Sequence, residues 1–387
     1  MDTRLGIIGG GQLGLYLCQA AQQLGLDVSI ISETEDAPAL LGADKTFVAA
    51  ITDTVVLDQF LSGCDVITFE REDIPEETLR YLAEAERQGR VAVHPDADVL
   101  LLLKDKGLQK AWLQNNNLPT LPFDLISGDS NPIDSAAKVF SAPLVQKARR
   151  GGFDGRGVQI LISQESLDQL WDIPSIVEPY LADSREIAVL VARRESGDML
   201  TFPPVSMEFE PELNAVRTVF VPADISSGLA TAAIVLAEKA VTLLGGVGVF
   251  AIEMFITPED QLLINEISPR VHNSGHLTLD SCEVSQFEQH VRAITGLPLV
   301  PPGEPSHTAM LNILYAEPML SKCPDTPQVE QVPGKETTIY WYGKKPGAIG
   351  RKMGHINALG PTVSAAIENA ASALASLSAT DNPESAA

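Results

Sequence analysis

Short apolar runs alternate with helical repeats along the first hundred residues. Residues 5–9 are almost wholly apolar, and after a glycine-rich turn at 9–14 apolar side chains recur every three or four positions to residue 24. Further apolar runs follow at 27–31 and 65–69. This alternation of strand and helix predicts a parallel sheet with helices on its faces.

Beyond a turn near residue 97 the pattern is more varied. The predicted elements are a helix-rich stretch at 98–117, a proline-punctuated loop at 118–122, strands around a Gly/Arg-rich loop at 143–190, a helix at 229–244, and strands at 247–256 and 262–268. The proline-rich segment 297–305 predicts a boundary. A last small unit should end in an Ala-rich helix and a frayed tail.

Composition limits the class of protein. A chain of 387 residues with 45% hydrophobic and 20% charged residues predicts two or three globular domains. No run approaches the ~18 apolar residues of a membrane span, so we expect a cytoplasmic protein without a membrane partner. The four cysteines lack the paired spacing of a zinc site or disulfide framework. The formal charge of −24 argues against nucleic acid as a partner.

A glycine fingerprint lies at the start of the chain. Gly9, Gly11 and Gly14 have the spacing of a dinucleotide-binding turn between a strand and a helix, and Glu33 follows about 20 residues later. Taken alone, this pattern favours a nicotinamide or flavin enzyme. The alternative is that the glycines only allow a sharp turn and leave helix amides for an anion.

A second glycine-rich segment follows a predicted strand that ends at Lys147. Residues 151–157 contain four glycines and one arginine, and Arg149 and Arg150 precede them. Such a flap can close its amides on phosphate oxygens and exclude water, whereas the alternative is the tip of a surface hairpin.

Further along, Glu178 stands at a strand end bent by Pro179, where backbone groups could pair with an adenine edge. Glu186 could accept from ribose hydroxyls, although a solvated glutamate is the commoner case.

Two glutamates are predicted to face each other across a hairpin. If Thr257 pairs with Leu262 across the turn, Glu253 lies directly opposite Glu266 in apolar strands. Like charges so placed are destabilising unless a cation lies between them, and one or two Mg²⁺ ions with bound phosphates fit this requirement. A register shift of one residue would instead place one glutamate on the opposite face.

Four motifs together carry a resemblance to a known family. They are GGGQLG at residue 9, GGFDGRG at 151, NEISPRVHNSGH at 265 and YGKKPGAIGRKMGH at 342. In this order they resemble the N5-carboxyaminoimidazole ribonucleotide synthetases of purine biosynthesis, a branch of the ATP-grasp superfamily. The resemblance implies an α/β fold of ATP-grasp architecture: an N-terminal parallel-sheet domain at 1–97, an ATP-grasp domain at 98–300 with lobes at about 118–178 and 179–300, and a small C-terminal domain at 301–387.

The resemblance also implies the roles of individual residues. ATP would be bound by Lys106, Lys147, Gly152, Phe153, Asp154, Gly155, Arg156, Gly157, Glu178, Pro179, Tyr180, Leu181, Glu186, Asn265 and Glu266. The metal ligands would be Glu253 and Glu266. The ribonucleotide would be bound by Gly11, Gln12, Leu13, Glu72, Asn273, Ser274, Lys344, Arg351 and Lys352. The family commonly has Arg-Pro where this chain has Ala348-Ile349, so one phosphate-binding arginine is missing.

The implied reaction carboxylates the amine of 5-aminoimidazole ribonucleotide with ATP and bicarbonate by way of carboxyphosphate. Lys147 and Arg270 would neutralise the charge that gathers, and Arg270 would anchor the carboxyl oxygens. His272 or His276 would move the amine proton, or both would only orient loops.

Three other functions stay open at the level of the sequence. They are another ATP-grasp carboxylate–amine ligase such as formate-dependent glycinamide ribonucleotide transformylase, a nicotinamide-dependent oxidoreductase, and a non-catalytic nucleotide-binding regulator. The resemblance alone suggests a homodimer.

Overall fold

The computed structural model describes residues 3–126, 142–152, 157–210, 215–315, 323–345 and 349–378. Its first sheet is parallel, as the sequence predicts, with the strand order β3-β2-β1-β4-β5. The strands are β1 (Arg4–Ile8), β2 (Asp27–Ser32), β3 (Lys45–Val48), β4 (Val66–Phe69) and β5 (Ala92–Val93), with helices α1 (Gln12–Gln23), α2 (Thr54–Leu61) and α3 (Glu76–Arg87). The carboxyl ends of β1 and β4 lie side by side, which brings the Gly9 turn next to residues 70–72.

Two helices connect this sheet to a small antiparallel one. They are α4 (Ala97–Leu103) and α5 (Lys106–Asn115), and an aspartate side chain caps the first amides of each. The small sheet has the order β6-β9-β7-β8, with β6 (Asp124–Ile126), β7 (Leu144–Ala148), β8 (Val158–Leu161) and β9 (Ser175–Pro179). Alternation along β7 buries Gln146 on one face and turns Val145 and Lys147 to the other.

The largest sheet is antiparallel and runs β15-β14-β10-β12-β13-β16-β19-β18-β17, with the short β11 paired to β10. Its strands are β10 (Arg185–Arg193), β11 (Met199–Thr201), β12 (Val205–Glu210), β13 (Ala215–Val221), β14 (Gly248–Ile256), β15 (Leu262–Ser268), β16 (Thr308–Leu314), β17 (Pro327–Gln331), β18 (Thr337–Tyr342) and β19 (Lys352–Leu359). The pairing of β13 with β16 carries it across the boundary predicted at 297–305. The exact domain limits therefore stay a prediction.

Within the described residues, four helices pack on this sheet: α6 (Ser227–Leu244), α7 (Thr278–Ser281), α8 (Gln286–Ile294) and α9 (Val363–Ser378). Contrary to the sequence expectation, α6 is long and apolar enough, by length and composition alone, to cross a membrane. Its inner face, formed by Ala233, Ala237, Ala240 and Val241, is buried in one cluster with Val189 and other side chains of the sheet. This packing is that of a helix that lies on the sheet with one face buried and the other exposed.

Candidate active site

A cavity of about 840 Å³ is lined by residues from all three sheets. It gathers most of the side chains singled out in the sequence: Gly11, Gln12, Leu13, Glu72, Lys106, Lys147, Gly152, Glu178, Pro179, Tyr180, Leu181, Glu186, Glu253, Asn265, Glu266, Arg270, His272, Asn273, Lys344, Arg351 and Lys352. Gly157, Ser274 and His276 do not line it. Phe153, Asp154, Gly155 and Arg156 lie outside the described residues.

One wall of the cavity belongs to the small sheet and carries a buried charge cluster. The Nζ of Lys147 lies 2.7 Å from Glu178 Oε2 and donates to Asn265 Oδ1 at 2.8 Å. Burial alone would lower the pKa of Lys147, but the charge and hydrogen bond of Glu178, together with the charges of Glu266 and Glu186, raise it. Burial would likewise raise the pKa of Glu178, yet Lys147 and Lys110 lower it. Burial lowers the pKa of Lys110 to about 8, against the opposing charge of Glu178. Lys147 and Glu178 therefore stay ionised, and Lys110 is charged at neutral pH but loses its proton as the pH rises through about 8.

The opposite wall contains the predicted pair of glutamates. The pairing register of β14 and β15 that brings them together differs from the expected one. At the turn Ile256, not Thr257, pairs with Leu262, and this ladder alone would set Glu253 against Asn265. A β-bulge at Asn265 shifts the register by one residue, so that Glu253 pairs with Glu266 after all. The bulge also brings two consecutive side chains, Asn265 and Glu266, to the cavity.

The charges on this second wall are poorly balanced. Burial and the neighbouring charge of Glu266 raise the pKa of Glu253 to about 8. Burial also raises the pKa of Glu186 to about 7, with Lys147 opposing it. Lys106 Nζ lies 2.5 Å from Glu266 Oε1, and His272 Nε2 lies 3.1 Å from Glu253 Oε1. A divalent cation with oxygen ligands would relieve the remaining repulsion.

Arg270 joins this wall to the N-terminal domain. Its Nε is paired with Glu72, and its Nη1 donates to the carbonyl oxygen of Val271 at 3.0 Å. Burial would raise the pKa of Glu72, but the charge and hydrogen bond of Arg270 lower it to about 2. Glu72 is thus an ionised acceptor beside a guanidinium, with the Gly11–Leu13 turn lining the same cavity.

The two histidines of the NEISPRVHNSGH segment occupy different environments. His272 lines the cavity, and its Nδ1 lies 2.9 Å from Ser274 Oγ. His276 is fully buried between the rings of His355 and Phe287, with centroid separations of 4.7 and 5.7 Å. Burial lowers the pKa of His276 well below its usual value. The structure does not bring His276 to the cavity, so only His272 is placed to exchange a proton there.

The glycine-rich turn at the start of the chain is occupied by a side chain of the protein itself. Glu70, at the end of β4, accepts from the amides of Gly11 at 2.6 Å and Gly14 at 3.0 Å. A Cβ atom at Gly9, whose φ is +113°, would lie 2.2 Å from Glu70 Cγ. The glycines therefore make room for a carboxylate of the protein where a dinucleotide enzyme binds pyrophosphate. This arrangement contradicts the oxidoreductase interpretation.

Basic residues from the C-terminal unit close the far end of the cavity. Lys344 Nζ donates to Gln12 Oε1 at 2.5 Å, which ties this end to the N-terminal turn. Arg351 and Lys352 also line the cavity. Ile349, which stands where the family commonly has proline, is exposed and does not line it. Ala348 lies outside the described residues.

Sequence reasoning missed several residues of the site. Glu70 fills the glycine turn, Lys345 lines the basic end, and Asp105 caps α5 while binding Arg149 at 2.8 Å. Lys110 is buried behind Glu178. One signal could have revealed Lys110, because it lies on the same helical face as Lys106 and the buried Leu113.

Three family models match consecutive parts of the chain. A ribonucleotide synthetase preATP-grasp domain matches residues 1–104, an ATP-grasp domain 111–287, and a phosphoribosylaminoimidazole carboxylase C-terminal domain 308–369. The chain is 38% identical over 362 residues to N5-carboxyaminoimidazole ribonucleotide synthase of Synechococcus elongatus, covering 91% of this chain and 88% of that protein. It is 34% identical over 358 residues to the enzyme of that name from Bacillus subtilis, covering 91% and 90%.

A solved structure supports the same relationship. N5-carboxyaminoimidazole synthase from Aspergillus clavatus, in complex with ADP and 5-aminoimidazole ribonucleotide, superposes with a TM-score of 0.82 at 28% identity, over 97% of this chain and 98% of that one. With the family models and the long matches above, this chain belongs to the N5-carboxyaminoimidazole ribonucleotide synthase family of ATP-grasp enzymes.

Proposed function

We propose that this chain is an ATP-dependent ligase that carboxylates the exocyclic amine of 5-aminoimidazole ribonucleotide. ATP and bicarbonate are the co-substrates, and ADP and phosphate are released. One observation carries the proposal: a single cavity joins Lys147 and the Glu253–Glu266 pair to Arg270 and the basic C-terminal end. A nucleotide, a small anion and a phosphorylated substrate all find complementary charge there.

ATP lies between the two lobes in this proposal. Lys106 and Lys147 bind its phosphates, segment 178–181 borders the adenine, and Glu186 accepts from the ribose. Glu253 and Glu266 would hold one or two Mg²⁺ ions, since hard divalent cations prefer carboxylate and phosphate oxygens. A bound Mg²⁺ ion would supply positive charge to the phosphate oxygens.

The chemistry proceeds in two displacements. A bicarbonate oxygen attacks the γ-phosphorus of ATP, the bond to the bridging oxygen of ADP breaks, and carboxyphosphate forms. The amine nitrogen then attacks the carboxyl carbon, phosphate leaves, and the nitrogen loses one proton. Lys147 and Arg270 stabilise the charge that gathers in the first step.

The ribonucleotide lies between the N-terminal turn and the C-terminal unit. Ionised Glu72 accepts from its hydroxyls, and Lys344, Arg351 and Lys352 bind its phosphate. His272, held by Ser274, takes the amine proton. As a family member the protein would be cytoplasmic and a homodimer.

The deciding experiment measures ADP release by the purified protein with ATP, Mg²⁺ and bicarbonate. We expect release to rise at least tenfold when 5-aminoimidazole ribonucleotide is added. Glycinamide ribonucleotide with formate serves as the control, and stimulation by that pair instead would assign the chain to the transformylase reaction.

A further inference from the structure

Lys110 is a buried lysine that the reaction described above does not use. It points from α5 into the interior, its side chain is 3% exposed, and it does not line the cavity. Taking an ammonium group out of water costs several kcal/mol unless strong partners compensate. Lys110 has two such partners: it is ion-paired with Glu178 Oε1 and donates to Thr120 Oγ1 at 2.7 Å.

The charges around Glu178 indicate what Lys110 does for the nucleotide site. Glu178 bridges two lysines, because its other oxygen, Oε2, lies 2.7 Å from Lys147 Nζ. Two positive charges and one negative charge leave a surplus of one on this wall. Without Lys110, Glu178 would neutralise Lys147, and the wall that faces the nucleotide phosphates would lose its net attraction.

Lys110 also belongs to a closed ring of contacts between the two lobes. Thr120 Oγ1 donates to the carbonyl oxygen of Ile264 at 2.7 Å, and Ile264 directly precedes the bulge at Asn265. Asn265 Oδ1 accepts from Lys147 at 2.8 Å, which returns the ring to Glu178 and Lys110. The ring therefore connects β9 of the small sheet with the bulge that turns Glu266 to the cavity.

We propose that Lys110 is a positioning residue for the nucleotide, which it does not touch. It keeps Glu178 from neutralising Lys147 and, through Thr120, holds the bulge of β15 in register with the small sheet. The proposal rests on the nucleotide site of the proposed function but not on the identity of the carboxylated substrate.

The test is direct binding of ADP with Mg²⁺, measured by calorimetry on wild-type protein and on Lys110→Met. We expect the variant to bind ADP at least tenfold more weakly. Lys239→Met, on the exposed face of α6, changes the net charge equally and should bind within twofold of wild type.

Two further readouts separate positioning from mere folding. Where turnover is measurable, Lys110→Met should raise the KM for ATP while the KM for the ribonucleotide stays within twofold. Thr120→Val cuts the ring without removing a charge and should weaken ADP binding two- to fivefold, which keeps the test valid if Lys110→Met does not fold. Unchanged ADP affinity in Lys110→Met or in Thr120→Val would overturn the proposal.

Because ADP binding is measured without the ribonucleotide, the outcome does not depend on the carboxylation itself. A wild-type protein that binds ADP but gives no ribonucleotide-dependent ADP release would refute the proposed function alone.

Discussion

The two walls of the cavity treat charge in opposite ways. On the small-sheet wall, Glu178 is held between Lys110 and Lys147. The two lysines and the glutamate together leave one excess positive charge. On the large-sheet wall, Glu253 and Glu266 are paired across the strands, and the pKa of Glu253 is raised to about 8 by burial and by Glu266. The first wall therefore carries excess positive charge, and the second carries excess negative charge even with Lys106 beside Glu266. A nucleotide that carries a metal ion complements both.

The largest effect should come from removing a carboxylate of the second wall. Glu266→Gln takes away a proposed metal ligand and the partner of Lys106, so we expect turnover to fall on the order of 10³-fold. Mg²⁺-dependent stabilisation by ATP, measured by thermal shift, should be lost as well. Undiminished stabilisation in the variant would refute the metal role, and Glu259→Gln, in the solvent-exposed turn, is the matched control.

The next effect concerns Arg270, which stands where the two walls meet the N-terminal domain. Arg270→Met should lower turnover by about 10²-fold while leaving ADP binding nearly intact. It should also lower the free energy of unfolding by roughly 2 kcal/mol because Glu72 loses its partner. Chemical denaturation of Arg270→Met/Glu72→Gln should show stability recovered but turnover still lost. Near-normal turnover in the single variant would contradict the role.

A pH experiment exposes the imbalance of the second wall directly. The folded protein keeps a proton on Glu253 up to pH about 8, whereas an ordinary carboxyl has a pKa of 4.5. The stabilisation from this group is therefore complete below pH 4.5 and is lost as the pH rises to about 8. Unfolding of the metal-free protein at pH 5 and 8 should show this loss, on the order of a few kcal/mol, and a smaller loss in Glu253→Gln. Equal losses in both proteins would contradict the assignment.

The smallest effect should come from Glu186, at the rim of the second wall. Burial raises its pKa to about 7, so the side chain is already about half protonated near neutral pH. Glu186→Gln keeps an acceptor for a ribose hydroxyl, and the KM for ATP should change by no more than about threefold at pH 7. The change should grow at pH 8.5, where the native carboxylate is ionised.

The sequence predicts the elements of the fold well but not the irregularities that complete the site. The glutamate pair was expected from a regular ladder starting at Thr257, and the real ladder starts one residue earlier. The bulge at Asn265 compensates for that difference. The alternation of apolar and polar residues along a strand does not show where a bulge lies. The right pair was thus predicted by way of the wrong register.

Burial explains the remaining differences. His272 and His276 look equivalent in the sequence, but only tertiary packing places one in the cavity and the other in an aromatic stack. The fingerprint at Gly9 looks like an anion site because the sequence does not show that Glu70, 56 residues beyond Gly14, returns to fill it. Lys110 resembles an ordinary helix-surface lysine until Glu178 is seen behind it.

The continuity of the largest sheet has a consequence for engineering and for evolution by recombination. A crossover in the proline-rich segment 297–305 looks harmless, yet it separates β13 from β16, whose ladder joins Thr218–Val221 to Thr308–Leu311. A chimera of two relatives spliced there must match side chains across that seam, or β13 becomes an exposed edge open to other chains. Because the C-terminal unit shares this sheet with its neighbour, it is not an exchangeable module.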